Sequence, residues 1–139
     1  MIINQMLKVY VAHSGNFDYK TELYTPLRIS SLSSQYHFVL PHESNGFVNS
    51  KEIIKKSDLV MAEVSHPSTG VGIELGWADS YHIPILCFYK QGTKLSGSLK
   101  AISSAVVSYS NPTDMLKKIE DFLSEKFSIN QFNSDNPTP

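Results

Sequence analysis

Five short segments of the chain are rich in β-branched, aromatic and other apolar residues, and each is bounded by polar or turn-forming residues. This pattern predicts buried strands. The predicted strands cover residues 8–12, 36–40, 58–64, 83–89 and 105–109. The third has an uninterrupted apolar interior, which is typical of a parallel strand that helices cover on both faces.

Helical patterns separate these strands. Residues 17–34 carry a rough apolar face, and Pro26 within them should kink the helix or begin a new one. Further helices are predicted from Asn49 or Ser50 to residue 56, over residues 71–82, and from residue 111 onward. This alternation favours a doubly wound α/β fold, a flavodoxin-like five-stranded parallel sheet of order 2-1-3-4-5 with helices on both faces.

The predicted sheet also indicates where a ligand binds. In doubly wound folds, ligands bind beyond the carboxyl ends of the strands where the strand order reverses, here between the first and third strands. The loops at that edge are residues 13–16, 41–46, 63–72 and 90–98. We therefore expect the functional residues in these loops.

Length and composition favour one domain. The chain has 139 residues, 41% hydrophobic and 18% charged, which suffices for one core over residues 1–127, followed by a frayed polar tail at 128–139. The net charge of −1 and a sole arginine, Arg28, provide no basic stripe for a nucleic-acid polymer or a membrane. A single cysteine, Cys87, and the lack of a signal-peptide pattern predict a cytoplasmic protein.

Two glycines open the helix that follows the third strand. Gly70 and Gly72 expose backbone N–H groups at the positive helix end, where a phosphate or carboxylate can bind. Glu74 lies within the first two turns, where the helix end favours its charged form, as a nucleophile requires. The spacing fits neither a dinucleotide fingerprint nor a P-loop. An ordinary strand-to-helix turn with a solvated Glu74 remains the alternative from spacing alone.

The segment around Glu74 resembles a known family. Residues 58–64, followed by residues 67–76, are similar to the signature of the nucleoside 2-deoxyribosyltransferase superfamily. They resemble in particular its small branch of 2′-deoxynucleoside 5′-phosphate N-hydrolases and nucleotide N-glycosidases, in matching order over residues 8–100. This resemblance implies that Glu74 is the nucleophile that attacks the anomeric carbon. It also implies that Tyr10 positions this glutamate and the sugar.

The same resemblance implies a phosphate site and a shared dimer. Serines that hold the 5′-phosphate in the family match Ser14, Ser68 and Ser98, and the neighbouring subunit of a homodimer contributes the last of these. One departure lies here, because the family's arginine in the first loop falls on Asn16. The chain therefore lacks a bidentate phosphate donor at this position.

A second departure concerns the family's catalytic aspartate, which falls on Ser50. Three nearby carboxylates are the candidates to replace it. These are Glu43, Glu52 and Glu63. Asp58 is expected to be structural, because it opens its strand at the opposite edge of the sheet.

The chemistry follows from the bond that the family breaks. Cleavage of a nucleoside C–N bond creates an oxocarbenium-like sugar, which a carboxylate can trap as a glycosyl ester. We therefore expect a homo-oligomeric enzyme, without cofactor or metal, that cleaves the N-glycosidic bond of a nucleoside 5′-monophosphate, deoxyribo- or ribo-. Glu74 and Tyr10 are the predicted catalytic residues. The predicted substrate-binding residues are Ser14, Asn16, Ser68, Gly70, Gly72 and Ser98.

Three other functions stay open at this point. A nucleoside 2-deoxyribosyltransferase passes the sugar to another base instead of water, and the lost arginine favours this alternative. A non-catalytic nucleotide-binding or sensor module is favoured by the serine at the aspartate position. An NAD-type glycohydrolase resembling the TIR domains also pairs an open α/β sheet with a catalytic glutamate.

Other residues near the predicted site have two interpretations. Three histidines in the site-side loops either donate to a phosphate or base or have no role. These are His13, His42 and His66. Five aromatic residues either wall a base pocket or belong to the core or a dimer seam. These are Phe17, Tyr19, Tyr24, Trp77 and Tyr81.

Overall fold

A computed structural model describes residues 6–128 as a single five-stranded sheet with helices on both faces. The strands pair in parallel in the order β2-β1-β3-β4-β5, so the predicted doubly wound fold is confirmed. Their bounds are β1 Leu7–His13, β2 Tyr36–Val39, β3 Leu59–Glu63, β4 Ile85–Lys90 and β5 Ala105–Tyr109. The predicted tail lies outside the described residues except for residue 128.

Five α-helices connect and follow these strands. They are α1 Thr25–Ile29, α2 Ser50–Lys55, α3 Thr69–Ser80, α4 Ser98–Ile102 and α5 Pro112–Leu123. A π-helical turn precedes α1, a 3-10 turn follows it and a second π-helical turn follows α5, and these turns cover Lys20–Tyr24, Ser31–Ser34 and Ser124–Ser128. Within the described range, no helix combines the length and apolar character that crossing a membrane requires.

The helix boundaries follow from local chemistry. Pro26 stands in the first turn of α1, where its missing N–H is tolerated, and so it begins a new helix as predicted. Helix α3 begins two residues before the predicted start at residue 71, because the Ser68 hydroxyl caps it by accepting the Val71 N–H at 3.3 Å. Helix α4 was not predicted, since its five residues include no buried side chain that would mark an apolar face.

The core has two layers, one on each face of the sheet. Alternate residues of β1 point to opposite faces, so Val9 and Val11 pack with α1 and α5, whereas Tyr10 and Ala12 pack with α2 and α3. This alternation places the Tyr10 side chain on the same side of the sheet as the helix that carries Glu74.

A buried carboxylate ties the ends of three strands together. Glu63, at the end of β3, is 1% exposed and accepts hydrogen bonds from the Ser65 N–H at 2.6 Å and the Ser65 hydroxyl at 2.8 Å. The Tyr109 hydroxyl, at the end of β5, donates to the same carboxylate. The Lys90 N–H, at the end of β4, donates to the Ser65 hydroxyl at 2.8 Å. Glu63 therefore acts as a structural group, because its donors come from the fold itself.

We expect Tyr109→Phe to lower the free energy of unfolding by about 1–3 kcal/mol, because it leaves a buried carboxylate short of one donor. Denaturant unfolding followed by circular dichroism measures this change. Tyr36→Phe is the matched control, because the half-buried Tyr36 hydroxyl has no hydrogen-bond partner among residues 6–128. Equal stability of Tyr109→Phe and the wild type would contradict the structural role of Glu63.

Candidate active site

A tyrosine of the central strand and the glutamate of α3 form a hydrogen-bonded pair. The Tyr10 hydroxyl donates to Glu74 Oε2 at 2.5 Å. Tyr10 is 1% exposed, whereas Glu74 is half-buried and opens on a cavity. Two residues that the sequence analysis predicted as catalytic therefore lie in direct contact.

The surroundings set the protonation of this pair. Burial raises the pKa of Tyr10, and the Glu74 carboxylate beside it raises the pKa further, so Tyr10 stays protonated and remains a donor. Burial also raises the pKa of Glu74, while hydrogen bonds from Tyr10 and Ser50 and the charge of His42 act in the opposite direction. The helix end was expected to favour the charged form of Glu74, but the balance is a raised pKa, because desolvation is the largest contribution.

The pair lines a cavity of about 290 Å³ between β1, α2, α3 and the loop after β2. Its lining residues are Tyr10, Pro41, His42, Gly46, Phe47, Val48, Ser50 and Glu74. Phe47 is 94% exposed, and the sequence analysis missed it as a lining residue. The chain turns back at Gly46, whose φ of 143° favours glycine. A large apolar residue in an otherwise polar loop was the signal that could have revealed Phe47.

Ser50, at the position of the family's aspartate, lies inside this cavity. The proximity of its hydroxyl lowers the pKa of both Tyr10 and Glu74. None of the three carboxylates considered as replacements lines the cavity. Glu43 pairs with Arg28 at 2.5 Å, Glu63 is buried under Tyr109, and Glu52 is exposed on α2. Glu74 is therefore the only carboxylate among the lining residues of this cavity.

Two of the predicted phosphate-binding serines line a second cavity, of about 350 Å³. Ser68 and Ser98 lie there with Gly72, next to His66 and Lys94. The Ser68 hydroxyl is already engaged as the cap of α3, and Ser98 is exposed at the start of α4. Because a different face of α3 lines each cavity, the structure separates these serines from Glu74.

The remaining predicted binding residues lie elsewhere. Ser14 is 2% exposed, and its hydroxyl accepts the Asn16 N–H at 3.0 Å. Asn16 is exposed in the turn after β1. Neither residue lines the two cavities, nor does Gly70 in the first turn of α3. The structure therefore unites the predicted catalytic pair but not the whole predicted phosphate site.

An aromatic cluster lies beside His42, which lines the first cavity. His13 Nε2 and the Tyr24 hydroxyl lie 2.6 Å apart, and the same hydroxyl accepts the His42 N–H at 3.0 Å. Burial lowers the pKa of His13, so this imidazole is held neutral. Tyr19 packs at 4.4 Å from the His13 ring centroid, and it contacts the core. His13, Tyr19 and Tyr24 therefore act as packing and hydrogen-bonding groups behind His42.

Three of the other aromatic residues also have partners within the chain. Phe17 stacks on His66, with ring centroids 4.8 Å apart. Trp77 and Tyr81 pack below lysines of α2, at 5.7 Å and 5.9 Å from the respective ammonium groups. None of these three rings lines the cavity that contains Glu74.

Sequence comparison finds relatives that are named as nucleotide N-hydrolases. A protein of Syntrophotalea carbinolica named as a 2′-deoxynucleoside 5′-phosphate N-hydrolase is 33% identical over 75 residues, 52% of this chain and 53% of that protein. The 5-hydroxymethyl-dUMP N-hydrolase of Tetraodon nigroviridis is 31% identical over 91 residues, 60% of this chain and 64% of that protein. The chain thus spans less than two thirds of either relative. No protein-family model matches it.

The fold has a solved counterpart. The CMP N-glycosidase BcmB of Clostridium botulinum superposes with a TM-score of 0.64 at 18% identity, over 84% of this chain and 99% of that one. The chain thus has the α/β fold of that N-glycosidase, with a five-stranded parallel sheet. The resemblance to the small nucleotide N-hydrolase branch of the nucleoside 2-deoxyribosyltransferase superfamily is confirmed.

We expect Tyr10→Phe to raise the pKa of Glu74 by up to about one pH unit, because it removes a donor that stabilises the carboxylate. Carboxyl ¹³C NMR across a pH series measures the midpoint for Glu74. The wild-type midpoint should lie above the usual range for glutamate, and the variant's should lie higher still. Tyr36→Phe, on β2, should leave it unchanged, and an unchanged or lower midpoint in Tyr10→Phe would refute the coupling.

Proposed function

We propose that this protein cleaves the N-glycosidic bond of a nucleoside 5′-monophosphate and transfers the sugar phosphate to water. The observation that carries this proposal is the hydrogen-bonded Tyr10–Glu74 pair, which faces a cavity with no other carboxylate in its lining. The names of the relatives support it, since they describe nucleotide N-hydrolases. No resident cofactor is part of the proposal.

Glu74 acts as the nucleophile in this scheme. One oxygen accepts the Tyr10 hydrogen bond, which holds the carboxyl group in one orientation and favours its charged form. As the C1′–N bond breaks, its electron pair leaves with the base and a carboxylate oxygen bonds to C1′. Water then attacks C1′, the ester bond breaks, and Glu74 is restored as a carboxylate.

The phosphate is bound by hydroxyl and N–H groups rather than by an arginine. The sole arginine, Arg28, is engaged in a bidentate ion pair with Glu43, with bonds of 2.5 Å and 2.7 Å. In one chain, Ser98 lines a cavity other than that of Glu74. The family resemblance implies that Ser98 reaches the glutamate from a second copy. A homodimer is therefore part of the proposal, and Ile73, 49% exposed beside Glu74 on α3, supports an apolar contact there.

A base-exchanging transferase is the second candidate, favoured by Asn16, which stands where the family has an arginine. It uses the same glycosyl ester, which passes to an added base instead of water. A binding module without catalysis is the third, and Ser50 in the cavity is the observation that favours it.

A panel assay tests the proposal. The protein is incubated with ribo- and deoxyribonucleosides, their 5′-monophosphates and NAD, with and without a free acceptor base, and base release is followed by chromatography. We expect release from monophosphates without an acceptor. Release only with an added base would identify a transferase, and release from NAD a glycohydrolase of that dinucleotide. A rise in melting temperature with a nucleotide but no turnover would identify a binding module.

We expect Glu74→Gln to lower kcat for base release by about three orders of magnitude or more, because it removes the nucleophile. When the wild type is denatured rapidly during turnover, mass spectrometry should detect protein whose mass is increased by the sugar phosphate bound to Glu74. Glu52→Gln is the matched control, since Glu52 is an exposed carboxylate on α2. Turnover that survives Glu74→Gln would overturn the assignment.

Because Arg28 is paired with Glu43, an arginine introduced near the predicted phosphate loop should strengthen binding of the 5′-phosphate. Asn16→Arg should lower KM for a nucleoside 5′-monophosphate by about tenfold, because a charged donor joins the exposed turn after β1. KM for the matching nucleoside should stay unchanged. Gln35→Arg adds the same charge at an exposed position before β2 and serves as control. An equal fall in KM for both substrates would argue against a phosphate contact at this turn.

A further inference from the structure

We infer that the His42 imidazole is the acid that protonates the departing base and the base that takes a proton from the attacking water. This inference rests on the proposed function, and it assigns the proton transfers that Glu74 cannot perform while it acts as nucleophile. General acid and base catalysis of this kind contributes about 10²- to 10⁴-fold to enzyme rates.

Among the residues that line the Glu74 cavity, His42 is the one suited to exchange protons with the substrate. The titratable side chains in this lining are Tyr10, His42 and Glu74. Tyr10 has a raised pKa and directs its proton to Glu74, so it does not exchange protons with a substrate near neutral pH. Ser50, where the family has an aspartate, has no proton to exchange in this range. An imidazole does.

The backbone around His42 is fixed while its ring is free to act. The His42 N–H donates to the Tyr24 hydroxyl at 3.0 Å, which anchors the residue to the first helical segment. The side chain is exposed, so it can rotate to meet a base in the cavity. His42 and Glu74 line the same cavity, and the charge of His42 lowers the pKa of Glu74.

Several titratable or charged groups surround the His42 ring. They are Tyr10 and His13 of β1, Tyr19 and Tyr24 of the segment after it, Glu43 next in sequence, and Glu74 of α3. Burial keeps His13, whose ring centroid is 5.4 Å away, neutral, so it does not compete for the proton. Glu43 is neutralised by Arg28. Glu74 is therefore the carboxylate of this group that forms no ion pair with a lysine or arginine among residues 6–128.

The proposed reaction has two steps, formation of the glycosyl ester and its hydrolysis. In the first, the C1′–N bond breaks, Glu74 bonds to C1′, and the His42 imidazolium gives its proton to the departing base. In the second, neutral His42 takes a proton from water, whose oxygen bonds to C1′ as the ester bond breaks. The protein returns to its starting charge, and water has replaced the base on the sugar.

The test compares leaving bases. Substrates that the wild type cleaves are prepared in matched pairs, with the parent base and with an electron-withdrawing substituent such as 5-fluoro on a pyrimidine. We expect His42→Gln to lower kcat for the parent base by about 100-fold and for the activated base by less than tenfold, since the latter needs less protonation.

Controls separate this inference from the proposed function and from misfolding. His37→Gln, at an exposed position of β2, should leave both rates unchanged. His42→Ala should regain activity on the parent base when imidazole is added, which shows an intact fold. Equal slowing of both bases in His42→Gln would overturn the role of His42 alone. Absence of base release by the wild type would overturn the proposed function and this inference together.

Discussion

The hydrogen bond between Tyr10 and Glu74 joins the centre of the sheet to the helix that carries the acid. Tyr10 is fixed because β1 lies between β2 and β3 and is buried on both faces. Glu74 is fixed because its neighbour Leu75 is 1% exposed against the sheet and the Ser68 hydroxyl caps α3. A short bond between two such rigid elements gives the carboxyl group one orientation, which a loop-borne acid would lack.

Two carboxylates at the carboxyl edge of the sheet, the buried Glu63 and the half-buried Glu74, differ in their surroundings and therefore in their roles. Glu63 receives three donors from the fold, two from Ser65 and one from Tyr109, and it has no open side. Glu74 has Tyr10 and Ser50 beside it and opens on a cavity. Neither forms an ion pair with a lysine or arginine among residues 6–128. Glu74 is therefore the carboxylate that is both desolvated and accessible, which is the condition for a reactive group.

The fold was largely predictable from the sequence, because continuous apolar runs and a polar turn after each of them determine a parallel sheet almost without tertiary information. The contact between Tyr10 and Glu74 was expected only through a family resemblance, since 64 residues separate them. The composition of the cavity was less predictable. It depends on the loop after β2, whose His42 and Phe47 line the same cavity as Glu74 of α3. A loop has no hydrophobic periodicity, so its sequence does not indicate which residues it contacts. For the same reason, sequence order could not show that Ser68 and Ser98 line a cavity apart from Glu74.

This chain has Ser50 where the family that it resembles has an aspartate, and this difference changes the charge of the cavity. A second carboxylate beside Glu74 would raise the pKa of one of the two acids, because like charges at short range disfavour double ionisation. A serine hydroxyl instead lowers the pKa of Glu74, as Tyr10 and His42 do. The cavity thus holds one anion and one imidazole rather than two acids. With that pairing, the proposed proton delivery passes from the α2 side of the cavity to the loop after β2, which contains His42.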